Sequence, residues 1–300
     1  DAPWQPGAAS RSWLHRSLSA LAEALAARGS RLLLRSGSSL QVLESLRRET
    51  GAQALYCNRV YEPAAMSRDA LVFGALRLEG LEVVASNASL LIDPGRGGNA
   101  SGQSYRVFTP YWRAAHKLLG PARPEPAPSR LPPVPGELTS EPLASFGLLP
   151  RSRWDRGFWE SGWQPGEAGA TDLLEAFVEG AAHGYAQQRE LPDRAGTSRL
   201  SPHLHFGEIS PRRALAQVRA ASAPRVPADD LARFETELGW REFAVQTLLD
   251  HPDYGERDLD AGFRHFPWAT PDPRLLAAWQ RGRTGVPLVD AGMRELWHTG

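Results

Sequence analysis

The chain has 300 residues, 42% of them apolar, and its 34 basic and 34 acidic side chains leave a formal net charge of zero. That length supports one large or two ordinary domains with a sizeable core. Neutrality excludes a global field that draws the whole chain onto nucleic acid, so any such binding needs a local basic patch. A single cysteine, Cys57, excludes an internal disulfide framework and fits a reducing cytoplasm. No run approaches the about 20 apolar residues that span a bilayer. Lys117 is the only lysine, so positive charge is carried by arginine, which genomic base composition explains better than phosphate recognition does.

In chain order, Trp13, Leu14, Leu18, Leu21 and Leu25 recur at helical spacing and predict a helix over residues 8–28, stopped by Gly29 and Ser30. Residues 31–35 read as a short buried strand. A helix over 40–50, a strand over 54–59, a helix over 66–79 and a strand over 82–86 follow. Alternating helices and strands with short turns predict a parallel sheet covered on both faces, a Rossmann-like α/β layer. This layer opens on a helix.

The proline cluster from Pro121 to Pro142 lacks any hydrophobic period and reads as a semi-rigid extended linker. Beyond it, Trp154, Trp159 and Trp163 are read as anchors between two units. Leu173, Leu174, Phe177, Val178, Ala181 and Tyr185 then form one stripe and predict a helix over 168–188. Helices over 211–221 and 229–250 follow, and strand signals are scarce after residue 150. The expected architecture is an α/β domain over 1–117, a linker over 118–166 and an all-α domain over 167–300.

Two places in the helical half carry chemistry. Thr197, Ser198 and Ser201 supply three hydroxyls within five residues, and Gly196 permits a tight turn beside them. Ser201-Pro202 reads as a helix start with Ser201 as N-cap, where free N–H groups and the helix dipole favour phosphate. On its own such a loop is usually an ordinary cap. On the helix over 229–250, Phe234, Glu237, Trp240, Arg241 and Ala244 fall at steps of three and four and share one face. The plain reading is a Glu237–Arg241 ion pair with Trp240 in the core. His203 and His205 lie two apart, on different faces of a helix, with no third ligand, so no metal site is expected.

Longer matches give these places a context. The run from Tyr185 through Thr197-Ser198-Arg199-Leu200-Ser201-Pro202 and His205-Phe206-Gly207 resembles the flavin-binding segment of the DNA photolyase/cryptochrome family. The stretch Phe234-Glu235-Thr236-Glu237-Leu238-Gly239-Trp240-Arg241-Glu242-Phe243 fits the same family, as does Gly282 to Trp297. Tyr105 to Arg113 resembles the family's segment at the end of the α/β domain, with Phe108, Tyr111 and Trp112 read as interdomain packing.

The resemblance, closest to class I cyclobutane pyrimidine dimer photolyases, implies FAD contacts from Tyr185, Thr197, Ser198, Arg199, Leu200, Ser201, Phe234, Glu237, Trp240 and Arg241. At Phe234 photolyases of this type often carry tryptophan, which leaves a packing role. It further implies contacts with damaged DNA from Arg189, Glu237, Trp240 and Arg241, with Trp240 stacking on an extruded base and Glu237 bonding a base edge. Trp268 resembles the outer member of an electron-relaying tryptophan chain. The implied function is a deoxyribodipyrimidine photolyase, a carbon–carbon lyase that uses light and reduced FAD. A cryptochrome-like photoreceptor or a (6–4) photolyase is the alternative. An antenna chromophore, a folate or a deazaflavin, can accompany the family's first domain. By this comparison the sheet is expected to be incomplete and the chain partial at both ends, and a monomer with no membrane association is expected.

Overall fold

A computed structural model describes residues 5–94, 104–121, 124–221 and 225–300 of the chain. Residues 122–123 of the expected linker, and 95–103 within the stretch before Tyr105, lie outside the described residues. The fold is mostly helical, with one small parallel sheet among the described residues.

Helix α1 (Ala8–Ala27) stops at Gly29, whose φ of +88° suits a residue without Cβ. Helix α2 (Ser39–Thr50) ends at Gly51 in the left-handed region, where the Gly51 N–H donates to the Arg47 carbonyl at 2.8 Å. Strand β1 (Ala54–Asn58) connects through helix α3 (Pro63–Leu78) to strand β2 (Glu82–Ser86). The strands pair in parallel from Ala54 with Glu82 to Asn58 with Ser86, as a β–α–β crossover requires. A small core of Val72, Leu76, Leu81 and Val83, backed by Leu40, Leu43 and Leu55, holds this layer together. Helix α3 begins three residues before the expected start because Pro63 suits the first helical turn.

The expected strand over 31–35 does not form. That segment lies along residues 131–141 instead: Leu34 N–H donates to Ser140 Oγ, and Glu141 N–H donates to the Leu34 carbonyl. Arg31 and Arg35 donate to the carbonyls of Leu138 and Thr139. Pro132, Pro133 and Pro135 lack the N–H groups that a ladder needs. The contacts are therefore isolated bonds, many from side chains.

The larger core joins Leu91, Ile92, Tyr111 and Ala115 to Leu174, Phe177, Leu200, Leu215, Val218, Phe234 and Leu238. It is built from α4 (Phe108–Ala115), α6 (Glu167–Glu179), α7 (Tyr185–Gln188), α8 (Ser201–His205), α9 (Pro211–Ala220) and α10 (Ala228–Asp250), while the short α5 (Arg156–Glu160) precedes α6. The single helix expected over 168–188 is broken: Gly180 (φ −123°, ψ −91°) and the left-handed Gly184 separate α6 from α7. Helix α9 starts at Ser210-Pro211 as expected, and Ser210 Oγ accepts the Arg213 N–H at 3.1 Å. Helices α11 (Pro273–Gln280) and α12 (Pro287–Thr299) end the chain.

Contacts from Trp13, Glu242 and Trp112 lock α1, the segment before α4 and α4 itself onto the helical unit. Trp13 of α1 packs edge-on against Trp163 and His203, and its indole N–H donates to Glu208 at 3.0 Å. Trp159 lies 6.2 Å from Trp13. Glu242 of α10 is buried and accepts the backbone N–H groups of Leu91 and Ile92 at 3.0 and 3.1 Å. Gly239 lets Trp112 lie against α10, since a Cβ at that position would come within 2.5 Å of the indole.

Candidate functional site

Tyr185 is buried at the first turn of α7, its ring edge-on to Phe177 and Phe234 at 5.4 and 5.8 Å. Asp230, buried at the start of α10, fixes that turn by accepting the N–H groups of Gly184 and Ala186, both at 2.8 Å. These donors flank Tyr185, so one carboxylate sets the backbone on either side of the ring. Burial raises the Tyr185 hydroxyl above its ordinary pKa, and the neighbouring Arg189 works against that shift.

Arg189 is the hinge of the site. Its guanidinium stands 5.8 Å over the Tyr185 ring and 2.9 Å from Glu237. Arg233, one helical turn before Glu237, approaches the other carboxylate oxygen at 3.4 Å. Glu190 closes the group, 3.2 Å from Arg189 and 2.8 Å from Arg233. The Glu237–Arg241 pair read from the sequence is absent among the described contacts. Arg241 instead donates to the Ser89 carbonyl at 3.2 Å, and burial lowers its pKa against the pull of Glu242.

Helix geometry explains the split. At about 100° per residue, Phe234 and Arg241 point almost the same way, while Trp240 lies about 120° round the helix from Phe234 with Glu237 between them. Phe234 therefore faces the core, Arg241 is drawn in beside it, and Trp240 reaches the open edge. The sequence stripe is an arc rather than one line.

Trp240 is 47% exposed, not a core residue. Phe108 covers one face of its indole, with centroids 3.6 Å apart and planes at 11°, and Trp112 continues the stack from Phe108 at 6.3 Å and 12°. These rings, with Thr109, Arg113, Arg233 and Thr236, line an open groove of about 450 Å³. Trp268 lies outside this group: its ring partners are Phe266 and Phe263, and it is 69% exposed.

In the hydroxyl-rich loop, Gly196 is buried against α7, where a Cβ would meet the Gln188 carbonyl oxygen at 2.7 Å. Arg199 is the one non-glycine residue with positive φ, +52°, among the described residues, and its guanidinium lies 4.1 Å over Trp163. Leu200 is buried in the main core and pins the loop. Thr197 and Ser201 are exposed, and Ser198 is half-buried. Ser201 is not the N-cap. That position falls to Leu200, whose carbonyl accepts the Leu204 N–H at 2.9 Å, and Ser201 is the first residue of α8. The left-handed turn at Arg199 brings the chain into the helix one residue early. Buried His203 bonds Glu208 through Nδ1, whereas His205 is exposed against Phe206.

The structure thus gathers Tyr185, Arg189, Phe234, Glu237 and Trp240, adds Asp230, Arg233 and Glu190, which sequence reasoning missed, and brings in Phe108, which that reasoning read only as packing. The i, i+4 spacing of Arg233 and Glu237 signalled one of these. The partners of Asp230 and Phe108 are remote in sequence and left no local pattern.

An α/β layer ahead of a helical unit with this loop and groove matches known proteins. A family model described as DNA photolyase matches residues 1–130, and one described as FAD binding domain of DNA photolyase matches residues 234–300. The chain belongs to the DNA photolyase/cryptochrome family. It is 40% identical to a deoxyribodipyrimidine photo-lyase of Agrobacterium fabrum over 295 residues, 98% of this chain and 61% of that protein. It is 34% identical to cryptochrome-1 of Arabidopsis thaliana, covering 99% of this chain and 44% of the relative. The crystal structure of a class III photolyase from Agrobacterium tumefaciens superposes with a TM-score of 0.94 at 40% identity, over 100% of this chain and 62% of that one. A Synechocystis cryptochrome gives 0.82 at 26% identity, over 98% and 61%. The chain therefore spans less than two thirds of the length of these relatives.

Proposed function

We propose that this protein is a deoxyribodipyrimidine photo-lyase, repairing cyclobutane pyrimidine dimers in DNA under light with FAD as its cofactor. The observation that carries this reading is Arg189, which bridges the residue implied in flavin contact, Tyr185, to the residue implied in lesion contact, Glu237. Close coupling of a flavin site and a lesion site is what such a reaction needs.

The residues present fit FAD. Exposed Thr197 and Ser201 and half-buried Ser198 offer hydroxyls to a pyrophosphate, and Gly196 and Arg199 shape the turn that presents them. Tyr185 and Phe234 supply an aromatic wall, Phe234 as packing. FAD held by these residues would supply light-driven electron-transfer chemistry next to the lesion site. The chain's own part is positional. The open face of Trp240 stacks on an extruded base, an interaction of about 1–3 kcal/mol. Glu237, oriented by Arg189 and Arg233, accepts a hydrogen bond from the base edge. Arg241 contributes to the wall behind them. Trp268 is kept as a surface electron-transfer residue.

Residues 1–117 are read as a Rossmann-like, antenna-type domain, 118–166 as the linker and 167–300 as the flavin and lesion domain. The protein acts as a cytoplasmic monomer. Among the described residues, no helix is long and apolar enough to cross a membrane.

The test is repair of a thymine-dimer oligonucleotide in light and in darkness, after a visible spectrum establishes bound flavin. Repair only in light is expected. The likeness to cryptochromes supports a second reading, a blue-light receptor. Bound flavin with no repair of either dimer or (6–4) lesion would favour it.

A further inference from the structure

The turn that carries Thr197, Ser198 and Ser201 is fixed at its two ends by burial. Gly196 packs against the Gln188 carbonyl, and Leu200 lies in the main core. Between them Arg199 is exposed, yet it holds a φ of +52°, a left-handed conformation that a residue with a Cβ rarely adopts. Its side chain turns to Trp163, where the guanidinium stands 4.1 Å over the ring centre, well inside the range of a cation–π contact.

Trp163 is itself held from three sides. Its indole N–H donates to the carbonyl of Thr299, the last residue of α12, at 2.9 Å. Its ring meets Trp13 of α1 edge-on at 5.4 Å, and the buried His203 of α8 lies 6.4 Å away. The indole is therefore a fixed platform, built by segments that are distant in sequence from the loop it supports.

We propose that Trp163 is a positioning residue for the loop over 196–201. By holding the guanidinium, its ring keeps Arg199 in the left-handed turn and so sets the three neighbouring hydroxyls for the pyrophosphate of the dinucleotide. This rests on the flavin reading above and changes one part of it: Arg199 serves the cofactor through the shape of its backbone, while its charge is engaged by the Trp163 ring. Glycine distinguishes these roles, because it adopts positive φ without steric cost. A contact that only enforces the turn can be replaced by glycine. A cation that meets a phosphate cannot.

The test pairs FAD titration with hydrogen exchange of residues 196–201 in protein without FAD, which reads the loop independently of the cofactor. Arg199→Ala keeps the steric penalty and loses the clasp. It should raise the Kd for FAD about two- to fivefold, the usual worth of an exposed cation–π contact, and speed exchange of the loop by a similar factor. Arg199→Lys should fall between Arg199→Ala and wild type. Arg199→Gly should bind FAD more tightly than Arg199→Ala. Trp163→Leu removes the same contact but also disturbs the end of α12, so it is read through double variants. In its presence Arg199→Ala should cost less than about twofold, and Arg199→Gly should improve FAD binding.

Unchanged loop exchange and FAD affinity in Arg199→Ala would overturn the clasp. So would an Arg199→Gly protein that loses as much affinity as Arg199→Ala, since the charge itself then meets the cofactor. Full additivity of Arg199→Ala with Trp163→Leu would also overturn it. A loop that loosens as expected in a protein that binds no FAD in any form would uphold the clasp and overturn the flavin reading.

Discussion

Phe108 and Trp240 stack face to face, their ring centroids 3.6 Å apart and their planes 11° from parallel. Phe108 belongs to α4 and Trp240 to α10, so the contact joins segments 132 positions apart in sequence. The indole stays 47% exposed, and under the proposed function its uncovered face receives a base. Phe108→Ala should let Trp240 rotate and weaken binding of dimer-containing DNA by about 0.5–1.5 kcal/mol, the usual worth of an aromatic pair. Trp240→Ala should lose about 1–3 kcal/mol. Equilibrium binding of a dimer-containing oligonucleotide measures both. Full affinity in Phe108→Ala alongside a loss in Trp240→Ala would show that Phe108 does not position the indole.

Asp230 does for Tyr185 what Phe108 does for Trp240. Its two oxygens accept the N–H groups of Gly184 and Ala186. Asp230→Ala leaves both donors without that partner, at about 1–3 kcal/mol for each buried one, and should release Tyr185 from its aromatic seat. Asp230→Asn keeps one accepting oxygen and should be intermediate. Chemical denaturation gives the stability change and flavin titration the effect on the cofactor. Loss of flavin affinity ranked Ala above Asn above wild type is expected; equal flavin affinity in all three would exclude a positioning role.

How much of this was legible in the sequence follows from the range of each interaction. Helices α1, α2 and α10 and strands β1 and β2 rest on local periodicity and emerged near their expected bounds. The helix over 168–188 was misread because the apolar stripe continues past Gly180 and Gly184, where the backbone breaks, and the partner that sets the start of α7, Asp230, lies 46 residues on from Gly184. Residues 31–35 have a strand's composition, but pairing is a property of two segments, and their neighbour is rich in proline. Trp240 and Arg241 are adjacent letters with opposite fates, because 100° of helical rotation carries one to the groove and the other to Ser89. The tight turn over residues 196–201 was legible through Gly196 and its neighbouring hydroxyls, whereas the exchange of partners at Glu237 was not.

That Leu200, and not Ser201, precedes the first turn of α8 separates two roles that sequence reading had merged. A capping serine changed to alanine costs about 0.5–2 kcal/mol of stability. Ser201→Ala should instead leave the unfolding free energy within about 0.5 kcal/mol of wild type, as an exposed position does. Its effect should appear in a faster loss of flavin on gel filtration, and Thr197→Ala should behave alike. A Ser201→Ala protein that is less stable yet retains flavin fully would reverse the assignment and make the hydroxyl a structural group.

Glu242 gives the fold a pH dependence of its own. Burial raises its carboxyl from an ordinary 4.5 to about 7, although the N–H groups of Leu91 and Ile92 and the charges of Arg241 and Arg212 pull the other way. The sign follows from where each state binds the proton. Below pH 4.5 both states are protonated and the contribution is fully present. Between 4.5 and 7 the unfolded chain ionises while the folded one keeps its proton, so stability falls as pH rises through that window. A separation of about 2.5 pH units corresponds to about 3 kcal/mol. Glu242→Gln cannot ionise and should lack this slope, gaining on the wild type by up to that amount between pH 4.5 and 8. Subtracting the two urea-unfolding profiles removes titrations common to both proteins. Parallel profiles would mean that the carboxyl titrates alike in the folded and unfolded chain. A wild type that loses stability relative to Glu242→Gln as pH rises from 4.5 to about 7 would identify Glu242 as a buried acid that fastens the segment before α4 to α10 in its protonated form.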